Sequence, residues 1–359
     1  MPKKTIIHVI YHLGRGGAET MLVQVLKELP EYNNIVVTFY ENNHFKNELV
    51  CAEHICLNKR SLWWLPVAAF NFKKIIKKYK PDLVHSHLPI PNFMARLGTP
   101  RNIPLISTIH TSVSSAVDYK KWHIRFLDKF TYKIRKSIVI AVSEFALNDY
   151  FDFLNLKPFK KQVLHTFVND KIFTTKTTQK KTGQKFKLIS VGALRQGKNY
   201  DFLIEGIRRL ESQNIELHIF GTGPLYEELN TKIKSLSLPI FLKGQVKNIQ
   251  QVLPDYDLFV MPSRFEGFSL SVLEAMAMRL PLLLSDIPSF KEQCGDCATY
   301  FDLSDTSDFN EKLNYLIEHP EVRSEKASRG FERVTHNFTL ARHMTDLKEI
   351  YFNALNEME

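Results

Sequence analysis

The stretch Ser263-Arg264-Phe265-Glu266-Gly267-Phe268-Ser269-Leu270-Ser271-Val272-Leu273-Glu274-Ala275-Met276 holds a strand-to-helix junction, and its reading decides the fold. Just before it, Asp257-Leu258-Phe259-Val260-Met261-Pro262 reads as a buried strand that stops at proline. From Ser269 onward, Leu270, Leu273, Ala277 and Leu280 recur at helical intervals, with Ser269 in the N-cap position. Glu266 falls in the loop ahead of that helix, and Glu274, eight residues later, in its second turn. The first turn of a helix leaves backbone donors unpaired, so the N–H groups of Gly267, Phe268, Ser269 and Leu270 are expected to face an anion.

A nucleoside diphosphate sugar offers hydroxyls to carboxylates and phosphate oxygens to N–H donors, so one such junction can hold both kinds of group. Two glutamates at this spacing also arise from a solvated acidic loop followed by a helix-surface glutamate. The surrounding string is more specific: Met-Pro-Ser-Arg-Phe-Glu-Gly-Phe-Ser, then Leu-Glu-Ala-Met-Ala, then Pro281. It resembles the E-x7-E signature of retaining glycosyltransferase family 4, whose members have the GT-B fold.

Working outward, the second half alternates strands and helices. Phe186 opens a strand, and Tyr200–Leu210, Leu225–Ser235, Asn248–Leu253 and Leu270–Met278 read as helices. Ile215–Phe220, Ile240–Leu242, Leu258–Met261 and Leu282–Ser285 read as strands. The first half shows strands at Thr5–Tyr11, Asn34–Tyr40, Pro81–Ser86, Pro104–His110 and Ser137–Ser143, with helices at Ala18–Leu29, Val67–Tyr79 and Asn92–Leu97. Strands separated by helical stretches imply right-handed βαβ crossovers and parallel sheets. The expected fold is α/β, with two doubly wound Rossmann-like domains. The boundaries are residues 1–170, a polar linker at 171–185, residues 186–339, and a terminal helix at 340–359. Met344, Leu347, Ile350, Tyr351 and Leu355 share one stripe of that helix, so it should pack against another element. The resemblance adds that the domains face each other across a cleft and that the terminal helix crosses back to the first.

Further motifs sit at strand ends. His12-Leu13-Gly14-Arg15-Gly16-Gly17-Ala18-Glu19 follows the first strand and opens a helix. Its spacing departs from the G-x-G-x-x-G of dinucleotide sites, although Glu41 could serve such a site as the ribose acid. It is similar to the family's G-G-x-E loop, which places Gly16 and Gly17 where donor phosphate and acceptor meet. His110, ending Ser107-Thr108-Ile109-His110-Thr111, resembles the T-x-H histidine at the transferred sugar, and His85 and His87 are weaker acceptor-side candidates. In Gly192-Ala193-Leu194-Arg195-Gln196-Gly197-Lys198-Asn199, Lys198 matches a family cation on the diphosphate. Ala193 stands in the usual arginine place, with Arg195 two residues on as the substitute. The turn holding Gly223 resembles the family's G-x-G-P loop beside the donor, and the stretch ending at Val246 resembles the segment whose backbone meets the nucleotide base. At Thr166-Phe167-Val168-Asn169 the family commonly shows Asn-Gly-Val-Asp. The resemblance assigns Glu266, Lys198, Arg195 and His110 to catalysis. It implies no cofactor and no metal, so Asp255-Tyr256-Asp257 reads as an incidental D-x-D.

Composition sets limits. The chain has 359 residues, 44% hydrophobic and 24% charged, which suits two ordinary globular domains. The apolar run Leu62–Phe70 is far shorter than the ~20 residues of a membrane span, and Thr5–Ile10 fits a first strand better than a signal peptide. Of four cysteines, Cys294 and Cys297 form a CxxC and Cys51 and Cys56 a second loose pair. The pairs fall in different halves, unlike a zinc ribbon, and the CxxC segment lacks a thioredoxin-like unit, so four free thiols suit a reducing cytoplasm. The net charge of +10 belongs to the first half, where residues 1–170 hold 24 Lys/Arg against 13 Asp/Glu. Lysines beside Trp63-Trp64 and Trp122 fit an anionic membrane surface as well as a solvated basic face. The expected partners are a nucleotide-sugar donor, with UDP ahead of GDP, and a glycan or lipid-linked acceptor of cell-envelope polysaccharide or lipopolysaccharide. The expected location is cytoplasmic and peripheral on the inner membrane face. A GT-B sugar-nucleotide epimerase is the nearest alternative. A nucleic-acid-binding protein, prompted by the pI of about 9.2, lacks any recognised motif.

Overall fold

The structure, a computed structural model, describes residues 2–14, 16–59, 61–169, 171–173, 185–210 and 214–356. The chain divides into two compact units, Met1–Thr166 with Ala341–Glu359, and Phe167–Leu340. The first contains β1 Thr5–Ile10, α1 Gly17–Lys27, β2 Asn33–Thr38, β3 Glu53–Cys56, α2 Leu65–Tyr79, β4 Leu83–His87, α3 Pro89–Gly98, β5 Leu105–Ile109, α4 Trp122–Ile134, β6 Ile138–Ala141, α5 Glu144–Phe153 and β7 Lys160–Val163. The second contains β8 Phe186–Val191, α6 Tyr200–Arg208, β9 Ile215–Phe220, α7 Tyr226–Ser235, β10 Ile240–Gly244, α8 Ile249–Val252, β11 Leu258–Met261, α9 Leu270–Ala277, β12 Leu282–Ser285, α10 Pro288–Cys294, β13 Ala298–Phe301, α11 Thr306–Glu318 and α12 Pro320–Asn337. α13, Leu340–Asn356, closes the chain within the first unit. Among the described residues no helix is long and apolar enough to cross a membrane.

Both sheets are parallel. Their strand orders are β3-β2-β1-β4-β5-β6-β7 and β10-β9-β8-β11-β12-β13. Alternate residues of a strand point to opposite faces, and β1 uses both: Ile7 and Val9 pack with Phe72 and Phe93, whereas Ile10 packs with Leu22 and Leu26. A sheet covered on both faces explains why its strands read as continuous apolar runs. In the second unit Leu188, Leu217, Leu258 and Leu283 pack with Leu203 and Ile207 of α6 and Phe309 of α11. The strand order reverses between β1 and β4 and again between β8 and β11. Open α/β sheets hold ligands at such switch points, beyond the carboxyl ends of the strands.

Several expectations shift. The chain changes unit between Thr166 and Phe167, ahead of the expected linker, because Val168 N–H bonds Phe338 O (2.8 Å) and Leu340 N–H bonds Val168 O (3.1 Å). Residues 174–184 of that linker lie outside the described residues. The expected stripe of α13 is buried at Met344, Leu347, Ile350, Tyr351 and Leu355. α4, α5, α10, α11 and α12 were not anticipated; in α4 the apolar periodicity is inverted, since Trp122, Phe126 and Phe130 face outward while Asp128 and Thr131 are buried. α4 is held from inside by a buried ion pair: Arg96 of α3 donates to Asp128 (Nη1–Oδ1 2.5 Å), and Tyr150 OH donates to the same carboxylate at 2.8 Å.

Candidate functional site

In the second unit the loops after β8 and β11 lie side by side because those strands pair. The β8 loop makes a short helical turn, Gln196–Lys198, and Asn199 takes a left-handed conformation with φ 55°. Arg264 N–H bonds Gly197 O at 2.9 Å, and the Arg264 guanidinium donates to Asn199 Oδ1 at 2.9 Å. A side chain at Gly197 would meet the Phe265 ring at 2.9 Å. These contacts zip the two loops together. They seat Lys198 against Glu266, with Nζ donating to Oε1 at 2.6 Å while both side chains are only 10–11% exposed. Ser263 Oγ donates to the same Oε1 at 2.6 Å, and the Ser263 carbonyl accepts from Ser285 Oγ. The sequence had assigned Lys198 to phosphate and Glu266 to sugar; the free protein joins them into one buried pair.

Glu274 sits in α9 on the side where Leu270 and Ser271 are also part-exposed, while Val272, Leu273, Ala275 and Met276 are buried. Side chains of a helix lean toward its N-terminus, so Glu274 leans toward the Gly267–Leu270 junction. Burial pushes its carboxyl up to about 8. The expected row of open amides is interrupted, because Ser269 N–H already donates to Gln293 Oε1 at 2.9 Å and Gln293 Nε2 returns a bond to Ser269 O at 2.7 Å. Ser269 is the N-cap by position, but its hydroxyl contacts Met261 Sδ and Ser271 Oγ instead of capping the helix. Gln293 belongs to α10, a helix that no pattern in the sequence had marked. Ser263 stood inside the quoted motif without a role.

Arg195 and Ala193 are both exposed, and no described carboxylate pairs with Arg195. Gly223 is explained by loop packing, since a side chain there would strike Leu194 O at 2.4 Å. Val246 lies part-buried in the loop after β10. Asp257 accepts from Lys187 N–H at 2.8 Å, so its carboxylate serves the sheet. Cys297 donates to the Cys294 carbonyl at 2.8 Å, and all four cysteines are free thiols.

In the first unit, Gly16 caps α1 and Gly17 begins it. A side chain at Gly16 would strike Glu19 Oε2 at 2.3 Å, whereas one at Gly17 would meet nothing within 4 Å. Gly17 therefore lines open space. Glu19 and His12 stand 3.6 Å apart, and burial favours the neutral form of each. The ends of β4 and β5 bring five histidines together with α13. His85 Nδ1 lies 2.7 Å from Tyr351 OH and its Nε2 lies 2.7 Å from Thr108 Oγ1. His87 Nδ1 is 3.3 Å from His110 Nε2, and His343 Nδ1 is 2.8 Å from His165 O. The rings of His85, His87, His110 and His343 with that of His8 line a cavity of about 30 Å³, room for roughly one water. Burial pulls His8, His110 and His343 down to about 4. His8, His85 and His87 have ring nitrogens within 4.8 Å of one another, and His8 Nδ1 and His87 Nε2 lack partners. Both nitrogens of His85 are engaged, and two open nitrogens fall short of the three protein ligands a zinc site takes.

Residues 15–171 match the family described as Glycosyltransferase Family 4, and residues 185–319 match Glycosyl transferases group 1. An uncharacterized glycosyltransferase of Methanocaldococcus jannaschii is 26% identical over 97% of both chains. A Campylobacter jejuni N-acetylgalactosamine-N,N'-diacetylbacillosaminyl-diphospho-undecaprenol 4-alpha-N-acetylgalactosaminyltransferase is 26% identical over 80% of this chain and 82% of its own. Among solved structures, Anabaena HepE in complex with UDP and glucose superposes with a TM-score of 0.83 at 16% identity, covering 96% of this chain and 98% of that one.

Proposed function

Because this chain belongs to glycosyltransferase family 4, has the GT-B fold and acts in glycan or glycolipid biosynthesis, we propose that it is a retaining, metal-independent hexosyl- or N-acetylhexosaminyltransferase. Its donor is a nucleoside diphosphate sugar, UDP-linked ahead of GDP-linked, and its acceptor is a glycan or lipid-linked glycan of the cell envelope, at the inner face of the cytoplasmic membrane. The observation that carries this reading is the buried Lys198–Glu266 pair at the β8/β11 switch point, with Glu274 on the helix that follows. A diphosphate gives Lys198 an anion to engage and frees Glu266 for sugar hydroxyls. Arg195, exposed and without a carboxylate partner, adds a second cation. Glu274 takes the ribose diol, the amides of Gly267, Phe268 and Leu270 take phosphate and sugar oxygens, and the Gly223 and Val246 loops border the base. In the first unit, His110 and the Gly16–Gly17 loop serve the transferred sugar and its acceptor.

In the transfer, the bond from the anomeric carbon to the phosphate oxygen breaks and the acceptor hydroxyl bonds that carbon on the same face. The hydroxyl proton passes to the departing phosphate oxygen. Charge grows on the diphosphate as the bond breaks, and fixed cations stabilise that charge more than the ground state. A nucleotide that binds only the folded protein raises its melting temperature, so UDP, GDP and ADP are to be compared by thermal shift, followed by NMR of the product anomer. A shift with UDP and an unchanged anomeric configuration are expected. No shift with any nucleoside diphosphate, or an inverted product, overturns the reading.

A further inference from the structure

α4 buries polar groups beside apolar ones and exposes a row of aromatic rings. Its buried side carries Asp128 and Thr131 beside Ile124 and Tyr132, with the Asp128 carboxylate bonded to Arg96 and two tyrosine hydroxyls. Its outward side carries Trp122, 70% exposed, and Phe126, 56% exposed, followed by Phe130. These three recur every fourth residue and so form one stripe, and the Phe126 and Phe130 rings stack at 5.7 Å. A helix that only covers a core does the reverse. α2 repeats the feature: Trp63, just before it, is 92% exposed, Phe70 follows on the outer face, and Lys73, Lys74, Lys77 and Lys78 continue toward its end.

α2 and α4 both pack against α3, which is almost wholly buried, so their outer faces flank one helix of the same layer. α2 contains no Asp or Glu, and the one carboxylate of α4, Asp128, points inward. Every charge these helices show to solvent is therefore positive. Aromatic rings among lysines match the interface of an anionic bilayer, where rings enter the headgroup boundary and ammonium groups meet the phosphates.

We propose that the outer faces of α2 and α4 form one docking surface for an anionic lipid bilayer, with Trp63, Phe70, Trp122, Phe126 and Phe130 inserting. This rests on the membrane part of the reading above and names the surface that performs it. The test is flotation of the full chain with phosphatidylcholine vesicles, with and without phosphatidylglycerol, beside thermal shift with UDP. The wild type should float with the anionic vesicles and little with the neutral ones. A Trp122→Ser/Phe126→Ser/Phe130→Ser variant should bind at least ~10-fold more weakly while keeping the UDP shift. A Lys73→Glu/Lys74→Glu/Lys77→Glu variant should lose the preference for anionic lipid. Wild type that fails to float, or a triple serine variant that floats equally well, overturns the surface. So does a dimer in sedimentation that the serine variant splits, since the face would then belong to a second copy. A nucleoside diphosphate shift without vesicle binding sinks the surface alone, and vesicle binding without a shift by UDP, GDP or ADP sinks the sugar-transfer reading alone.

Discussion

The two switch points use opposite chemistry. Beyond β8 and β11 the second unit holds Lys198 and Glu266 at 2.6 Å and, on the next helix, Glu274 with a carboxyl pushed up to about 8. Beyond β1, β4 and β5 the first unit gathers histidines that burial keeps neutral, cushioned by Thr108 and Tyr351 hydroxyls. A buried ion pair at rest suits a ligand that brings its own charges. A neutral, nearly closed one suits uncharged hydroxyl chemistry. Parallel sheets thus supply the place, and burial decides which protonation state waits there.

The comparison breaks most visibly at Lys198. Lys198→Ala removes the cation that meets the diphosphate and leaves Glu266 without its partner, and steady-state kinetics should show kcat reduced by ~10²–10³-fold. A loss below tenfold would mean that the pair is only structural.

pH separates the units in opposite directions. Three first-unit histidines titrate at about 4 when folded against an ordinary 6.5, so the unfolded chain binds protons first as pH falls. Their stabilising contribution is complete above 6.5 and is lost toward 4, by on the order of 3 kcal/mol each. Scanning calorimetry should show the first unit melting earlier in that window. An unchanged melting profile would contradict neutral burial.

Glu274 runs the other way. Its folded value of about 8 lies above the ordinary 4.5, so stability is lost as pH rises between them, on the order of 5 kcal/mol in all. Glu274→Gln should remove that slope and exceed wild-type stability near pH 8. Hydroxyl donors favour the ionised carboxylate, so UDP should bind more tightly as pH approaches 8, with proton release visible as buffer-dependent heat. The smallest expected effect is at Arg195: Arg195→Ala should lower kcat by about tenfold, and a second change, Ala193→Arg, should recover part of it. Indifference to both changes would remove Arg195 from the site.

How much of this was readable in sequence follows from where side chains point. Buried strands such as Leu258–Met261 and Leu282–Ser285 were placed to the residue, because a sheet covered on both faces writes an unbroken apolar run, and Ile215–Phe220 was placed by its alternation of buried Ile215, Leu217 and Ile219 with Glu216 and His218. α4 was missed because its aromatic side faces outward and its carboxylate inward. At the site, glycines and charges at strand ends drew attention to Lys198, Glu266 and Glu274; the structure pairs the first two and sets Glu274 on the helix that follows. Their mutual contacts were hidden, since pairing across β8 and β11 brings together residues 68 positions apart. The same reason hid Gln293, which occupies an amide that spacing alone would leave open.

Calorimetric titration of UDP into the full chain and into Glu274→Ala at pH 8 tests the second-unit donor grip most directly. The account predicts one UDP per wild-type chain and an affinity lowered by at least ~10-fold in the variant, the loss expected when a charge-assisted hydrogen-bond acceptor is removed. Equal affinity in the two proteins, or no binding by the wild type, would contradict it.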